Sequence, residues 1–117
     1  MTISQKNLEV IRQFGGLNAS QEVCDFLKKN KLVLNVDADS SSVGGIDVAW
    51  AKVSISDVES NIVSLTSRQT HSAFAPARDG QPERLRFENI KKTFMALDIN
   101  QAAKDVFEFR KRAKAAK

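Results

Sequence analysis

Apolar and polar residues alternate at helical spacing over the opening stretch of the chain. In residues 2–14, Leu8 and Ile11 share one face, extended by Ile3 and Gly15, while Lys6, Glu9, Arg12 and Gln13 fall elsewhere; this is the pattern of an amphipathic helix. Thr2 with Gln5 fits a capping box, and Gly15-Gly16 fits a glycine C-terminus. A second helix is predicted over 19–30. Asn18 stands as its N-cap, Glu22 in its first turn and Lys28 and Lys29 in its last, which suits the helix dipole. Its buried stripe is Val23, Phe26 and Leu27, joined by Cys24.

The period then changes. Residues 31–36 (KLVLNV) and 46–54 (IDVAWAKVS) read as two strands, the second with Ile46, Val48 and Trp50 on one side. Between them 37–45 (DADSSSVGG) reads as a polar loop, so the two strands are expected to pair as a hairpin. Residues 56–67 are ambiguous. Ser56 to Glu59 is a capping box, and Val58, Ile62 and Leu65 fall at i, i+4, i+7, which favours a helix; a third strand is the alternative. Residues 67–84 hold both prolines and show no periodicity. A long loop is expected there, with Asp79-Gly80 as the tip of an extended hairpin arm in the other reading. Phe87, Ile90, Phe94 and Leu97 mark a helix over 86–97. A last helix begins at Asp98 or Asn100, with Ala103, Val106 and Phe107 inward and Phe109 beside them. The expected fold class is α+β: two N-terminal helices, a small antiparallel sheet or hairpin, and C-terminal helices. Residues 1–109 form a single globular domain in this reading and 110–117 a basic C-terminal tail.

Composition adds little to that outline. With 42% apolar and 27% charged residues, the chain has the makeup of an ordinary globular domain. Cys24 is the one cysteine, which rules out an internal disulfide and any cysteine-based zinc site within one chain. The opening residues lack the apolar core of a signal peptide, and no long apolar run could cross a membrane. A reducing, cytoplasmic setting is the expectation. Seven Phe, one Trp and no Tyr point to phenylalanine as core filling.

Charge changes the picture more. The chain carries a formal +4. Residues 104–117 contain Lys104, Arg110, Lys111, Arg112, Lys114 and Lys117 against Asp105 and Glu108, while the acidic and basic residues before them balance. The whole net charge therefore lies at the C-terminal end. Such a cluster can contact phosphates with the salt dependence of counterion release; basic residues also suit a helix C-terminus and a solvated surface. No aromatic residue interleaves with the run after Phe109, so base stacking is not indicated. Arg68, Arg78, Arg84 and Arg86 form a second basic group in or beside the long loop, where they are either solvated surface or, on a hairpin arm, able to reach a groove.

Candidate chemistry is thin. Asp37-x-Asp39-x-Ser41 resembles the start of a calcium loop, but Ser42 stands where glycine is needed and Val48 where a glutamate belongs. Those aspartates more simply shape a turn. His71 is the single histidine and no motif sets a nucleophile beside it, so a Cys24–His71 pair has no sequence support. Gly15-Gly16 and Gly44-Gly45 lack the partners of a phosphate loop. The two opening helices could form a helix-turn-helix, but Glu22 and Asp25 on the reading helix would repel phosphates, and an ordinary helical hairpin is expected instead. No cofactor or metal site is indicated. The expected function is that of a small non-enzymatic nucleic-acid-associated protein contacting phosphates through Arg110, Lys111, Arg112, Lys114 and Lys117, with the loop arginines Arg68, Arg78, Arg84 and Arg86 assisting. The alternative is a protein-interaction module (an inhibitor, adaptor or assembly component) acting through its long loops. The expected partner is nucleic acid or an acidic protein surface, not a membrane, and a homo-oligomer is compatible with the sequence.

Overall fold

The computed structural model describes residues 2–17, 20–60 and 62–115. Its elements are β1 (Thr2–Ile3), α1 (Gln5–Gln13), α2 (Gln21–Lys29), β2 (Leu32–Val43), β3 (Ile46–Asp57), β4 (Arg68–Phe74), α3 (Gln81–Ala96) and α4 (Ile99–Ala115). The sheet has the order β1-β2-β3-β4. β2, β3 and β4 run antiparallel to their neighbours, and β1 adds a two-residue parallel edge. The fold is α+β, in the order of helices, hairpin and helices that the sequence pattern implies.

One face of the sheet makes the core. Leu34 pairs with Ile55, Val36 with Val53 and Ala38 with Ala51, and all six are buried against Val10, Ile11, Leu27, Phe87, Ile90, Ala102, Ala103 and Val106 from the helices. α1 rests on β2 and α3, with Phe14 stacked on Phe87 at 5.5 Å between ring centres, while α2 rests on β2. The two opening helices therefore pack on the sheet rather than chiefly on each other as a helical hairpin. Phe87 is buried, and Phe14, Phe26, Phe94 and Phe107 flank the core; Phe74 is exposed.

The opposite face carries Asn35, Asp37, Asp39 and Ser41 of β2, Ile46, Val48, Trp50 and Lys52 of β3, and Gln69, His71 and Ala73 of β4, by the registers of the two ladders. Ile46, Val48 and Trp50 do share a side, and it is this one, away from the helices. Among the described residues no helix is long and apolar enough to cross a membrane.

Several element boundaries differ from the sequence expectation. α1 starts at Gln5, capped by Ser4, whose hydroxyl accepts from Asn7 N; Thr2 and Ile3 instead pair with Asn35 and Val36. α2 is capped by Ser20, and the expected cap Asn18 lies outside the described residues. The polar stretch 37–43 is strand, continuing β2 to a turn at Gly44-Gly45, both at positive φ. Residues 56–67 form no helix: β3 ends at Asp57, a turn follows, and Ser56 makes a lone bridge to Val63. The helical spacing there did not mark a buried face, since Val58 and Leu65 are more than half exposed. The expected long loop contains β4. Gly80 (φ 78) is the left-handed N-cap of α3 rather than a hairpin tip, and α3 begins at Gln81.

Candidate polyanion-binding end

The C-terminal cations are placed by α4, which runs through Ala115. Its inner positions Ala102, Ala103 and Val106 are buried against the sheet, and Asp98 opens it by accepting from Gln101 N. Farther along, Asp105 accepts from Thr66 N at 2.7 Å, tying α4 to the segment before β4. The bonds from Thr66 hold the Asp105 carboxyl below the ordinary aspartate range.

Arg110 is the next anchor. Its Nη2 donates to Asn30 O at 2.9 Å, to Lys31 O at 3.2 Å and to Asp57 Oδ1 at 3.1 Å, and its guanidinium lies 5.5 Å from the centre of the Phe107 ring. Lys31 stands at φ 54, a left-handed residue that turns the chain from α2 into β2. That turn leaves the two carbonyls free of the helix ladder to receive the guanidinium. Asp57 takes further bonds from Glu59 N and Ser60 Oγ. Arg110 is the main cause that holds the Asp57 carboxyl below its ordinary value, opposed by burial and helped by Ser60 and Glu59.

This anchoring brings two distant basic segments together. Arg110 binds the carbonyls directly after α2, whose last turn carries Lys28 and Lys29. Lys31, Arg110, Lys111 and Lys114 line one cleft of about 510 Å³ with Asp57, Glu59 and Ser60. Lys31 and Glu59 are 3.4 Å apart and Lys111 and Glu108 3.8 Å apart, all four side chains well exposed; pairs of this kind contribute little and exchange readily. Arg112 lies 5.9 Å from the centre of the Phe109 ring, and Arg112 and Lys114 are exposed. Lys117 lies outside the described residues.

The loop arginines do not join this end as a group. Arg86 is buried (3% exposed), with Nε donating to Ser40 Oγ and Nη1 to Asn7 Oδ1; it is a packing element between α3, β2 and α1 and not a surface cation. Arg78 and Arg84 border a groove beside the start of α3, and Arg78 N donates to the buried Asp47. Asp47 and Asp57 lie near opposite ends of β3, ten residues apart, a separation of about 34 Å at about 3.4 Å per residue. Arg78 and Arg84 are thus too far away to act with Arg110 on one short ligand. Arg68 is exposed at the start of β4, opposite Val53.

The other residues weighed from sequence are scattered. His71 lies on the uncovered sheet face across from Trp50, while Cys24 is half-buried on α2, on the helix side of the sheet. Asp37 and Asp39 are outward residues of β2 and not of a turn; Asp39 accepts from Lys6 Nζ at 3.1 Å and from Ser40 N. Among the described residues no group of three or more His, Cys, Asp or Glu converges as a metal site. Lys28, Lys29 and Lys31 were missed in sequence because Lys28 and Lys29 have a sufficient local explanation as helix-terminal cations and Lys31 reads as the first residue of a strand. Only the long-range contact of Arg110 reveals their place beside α4.

Comparison of the chain with protein-family models, with curated proteins and with solved structures finds no match.

Proposed function

We propose that this protein is a small nucleic-acid-associated protein that contacts phosphates through the basic end formed by the last turn of α2, Lys31 and the last turns of α4. The observation that carries the reading is the set of three bonds from Arg110, which brings Lys31 beside Lys111 and Lys114 along one cleft, with Lys28 and Lys29 in the preceding turn of α2. Of these cations only Arg110 is engaged with a largely buried carboxylate. Among the described residues the others are unpaired or in exposed pairs that a polyanion can replace. Contacts made by lysines to backbone phosphates are electrostatic and weakly sequence-dependent.

The test is the slope of log affinity against log salt for a short DNA or RNA duplex. Each phosphate neutralised contributes about 0.9 to that slope. A variant with Lys28, Lys29, Lys111, Arg112 and Lys114 all changed to Gln should bind more weakly and lose about three or more units of slope. An unchanged slope would defeat the proposal.

A second reading, an interaction module, is favoured by the apolar strip on the uncovered sheet face. Val43 is 63% and Ile46 41% exposed there, beside a groove of about 530 Å³ lined by Val48, Trp50, His71 and Ala73. The contacts would come from the sheet, since the two segments expected to supply them as loops are largely strand. A stoichiometric protein partner that survives nuclease treatment and is lost in Trp50→Ala would favour this reading over the first.

A further inference from the structure

The two edges of the sheet differ in how they are closed. At the β2 edge, β1 pairs beside Asn35 and Val36. Beyond it Asn7 Nδ2 donates to Ala38 O at 3.2 Å, and Ser40 N donates to Asp39 Oδ1 at 2.8 Å. A short strand and two side chains thus occupy backbone groups that would otherwise invite another chain. β4 ends the strand order on the other side. Among the described residues nothing pairs with its outer edge, and its sequence RQTHSAF holds no proline or lysine to deter pairing.

The hairpin turn determines which groups of β4 face outward. Gly44 and Gly45 have φ 57 and 79, the two-residue type I′ turn that closes on a hydrogen-bonded pair. That pair is Val43 and Ile46, so odd residues of β2 bond to even residues of β3. Even residues of β2 then face its outer edge, in agreement with the bonds of Ala38 O and Ser40 N. Odd residues of β3 bond to β4, with Ala49 opposite Ser72 and Ala51 opposite Thr70. Gln69, His71 and Ala73 are left with their N–H and C=O groups directed away from the sheet.

This strand is complementary to itself. Antiparallel pairing of two copies about a twofold axis at His71 sets Gln69 against Ala73 of the second copy and His71 against its own equivalent. All three outward residues are used, each pair exchanging two backbone bonds, and a shift of two residues loses a pair. On the helix side Arg68 meets Phe74 of the second copy, a ring 55% exposed in the single chain, so a guanidinium is set on an aromatic side chain. No lysine, arginine, aspartate or glutamate stands opposite its own copy. α3 lies over β3 with β2 and β4 on its flanks. The two copies of α3 would stand three strand spacings apart, about 14 Å, wider than the about 8–10 Å of packed helices, and so would not collide.

We propose that this protein forms a twofold dimer through the outer edge of β4, which joins two four-stranded sheets into one. The contact is made by the strand edge and leaves the basic end of α4 free, so it is independent of the phosphate reading. Sedimentation equilibrium on the full chain tests it. The apparent mass should rise from 13.0 kDa toward twice that value between about 1 and about 100 µM protein. Gln69→Lys with Ala73→Lys, both at exposed positions, sets lysine against lysine across the axis and should weaken association at least about tenfold. Gln69→Lys with Ala73→Glu sets lysine against glutamate at the same positions and should keep the dimer. Circular dichroism confirms that each variant is folded. A mass of 13.0 kDa at every concentration overturns the proposal. A dimer that persists in Q69K/A73K, or is lost equally in both folded variants, overturns it as well, because either result places the contact outside this register.

Discussion

Replacing Arg110 by Ala removes a side chain that ties α4 to both the end of α2 and the end of β3. Three acceptors lose their donor: Asn30 O, Lys31 O and Asp57 Oδ1. Lys31 O retains Val58 N, and Asp57 retains Glu59 N and Ser60 Oγ, so the loss is partial at two of the three. A hydrogen bond to a charged group contributes about 1.5–3 kcal/mol, while an exposed ion pair contributes about 0–1 kcal/mol. The Arg110 side chain is 31% and that of Asp57 10% exposed, which places the pair between these limits. The expected destabilisation is about 2 kcal/mol, read as a fall of about 1 M in the urea midpoint.

Two further measurements bind the number to its cause. A double-mutant cycle with Asp57→Asn should return a coupling of about 1 kcal/mol between the two residues. The second is pH. Because Arg110 holds the folded carboxyl of Asp57 below its ordinary value of 3.8, this stabilisation is complete above the ordinary aspartate range and is lost as pH falls through the depressed value. The gap between wild type and Arg110→Ala should therefore narrow as the pH is lowered from about 7 to about 3. A coupling near zero, or a gap that stays constant on acidification, would show that the ion pair does not hold the end of α4.

Two other outcomes are expected. Arg86→Met should leave the salt slope of nucleic-acid binding unchanged and cost no more than about 1 kcal/mol in urea unfolding, because an apolar chain replaces a buried charge that, among the described residues, has no carboxylate in hydrogen-bond reach; weakened binding by a folded variant would contradict its placement. Asp47→Asn should destabilise at neutral pH, since Ser42 Oγ donates to one carboxylate oxygen and Arg78 N and Gln81 Nε2 to the other, and a neutral amide accepts on one side only and loses the charge that strengthens all three bonds. Those donors, Ser42 first, hold its carboxyl low, so the wild type should lose stability in acid more steeply than the variant, and parallel pH curves would refute the assignment.

The helices and the central hairpin were legible because their apolar residues carry the period of the element: Leu34 and Val36 alternate into the core, and Phe87, Ile90, Phe94 and Leu97 recur at helical spacing. β4 and the far half of β2 were not legible, and the reason is chemical. Where β4 meets α3 the contact is polar. Thr70 Oγ1 lies 2.7 Å from Thr93 Oγ1, and Asn89 Nδ2 donates to Ser72 Oγ at 2.9 Å. Beyond Ala38 the inward residues of β2 are Ser40, which meets Arg86, and Ser42, which donates to Asp47. Both segments alternate in and out as strands must, but hydrogen bonds take the place of apolar burial, and a reading keyed to hydrophobicity sees loops.

The same substitution explains why the charge pattern was half informative. The surplus of cations near the C-terminus is visible in the sequence, yet its use divides by position along α4. Arg110 lies one helical turn beyond the buried Val106, close enough to the core to reach Asp57 and the turn after α2. Lys111, Arg112 and Lys114 are exposed. One cation of the run is thus structural, and it fixes the position of the rest. A tail free in solution would spread the same charges over many arrangements and lose entropy on meeting a phosphate. A helix pinned by Arg110 holds Lys111 and Lys114 beside Lys31 along one cleft, so the fold adds to the charge pattern a partner from a distant segment and a fixed arrangement.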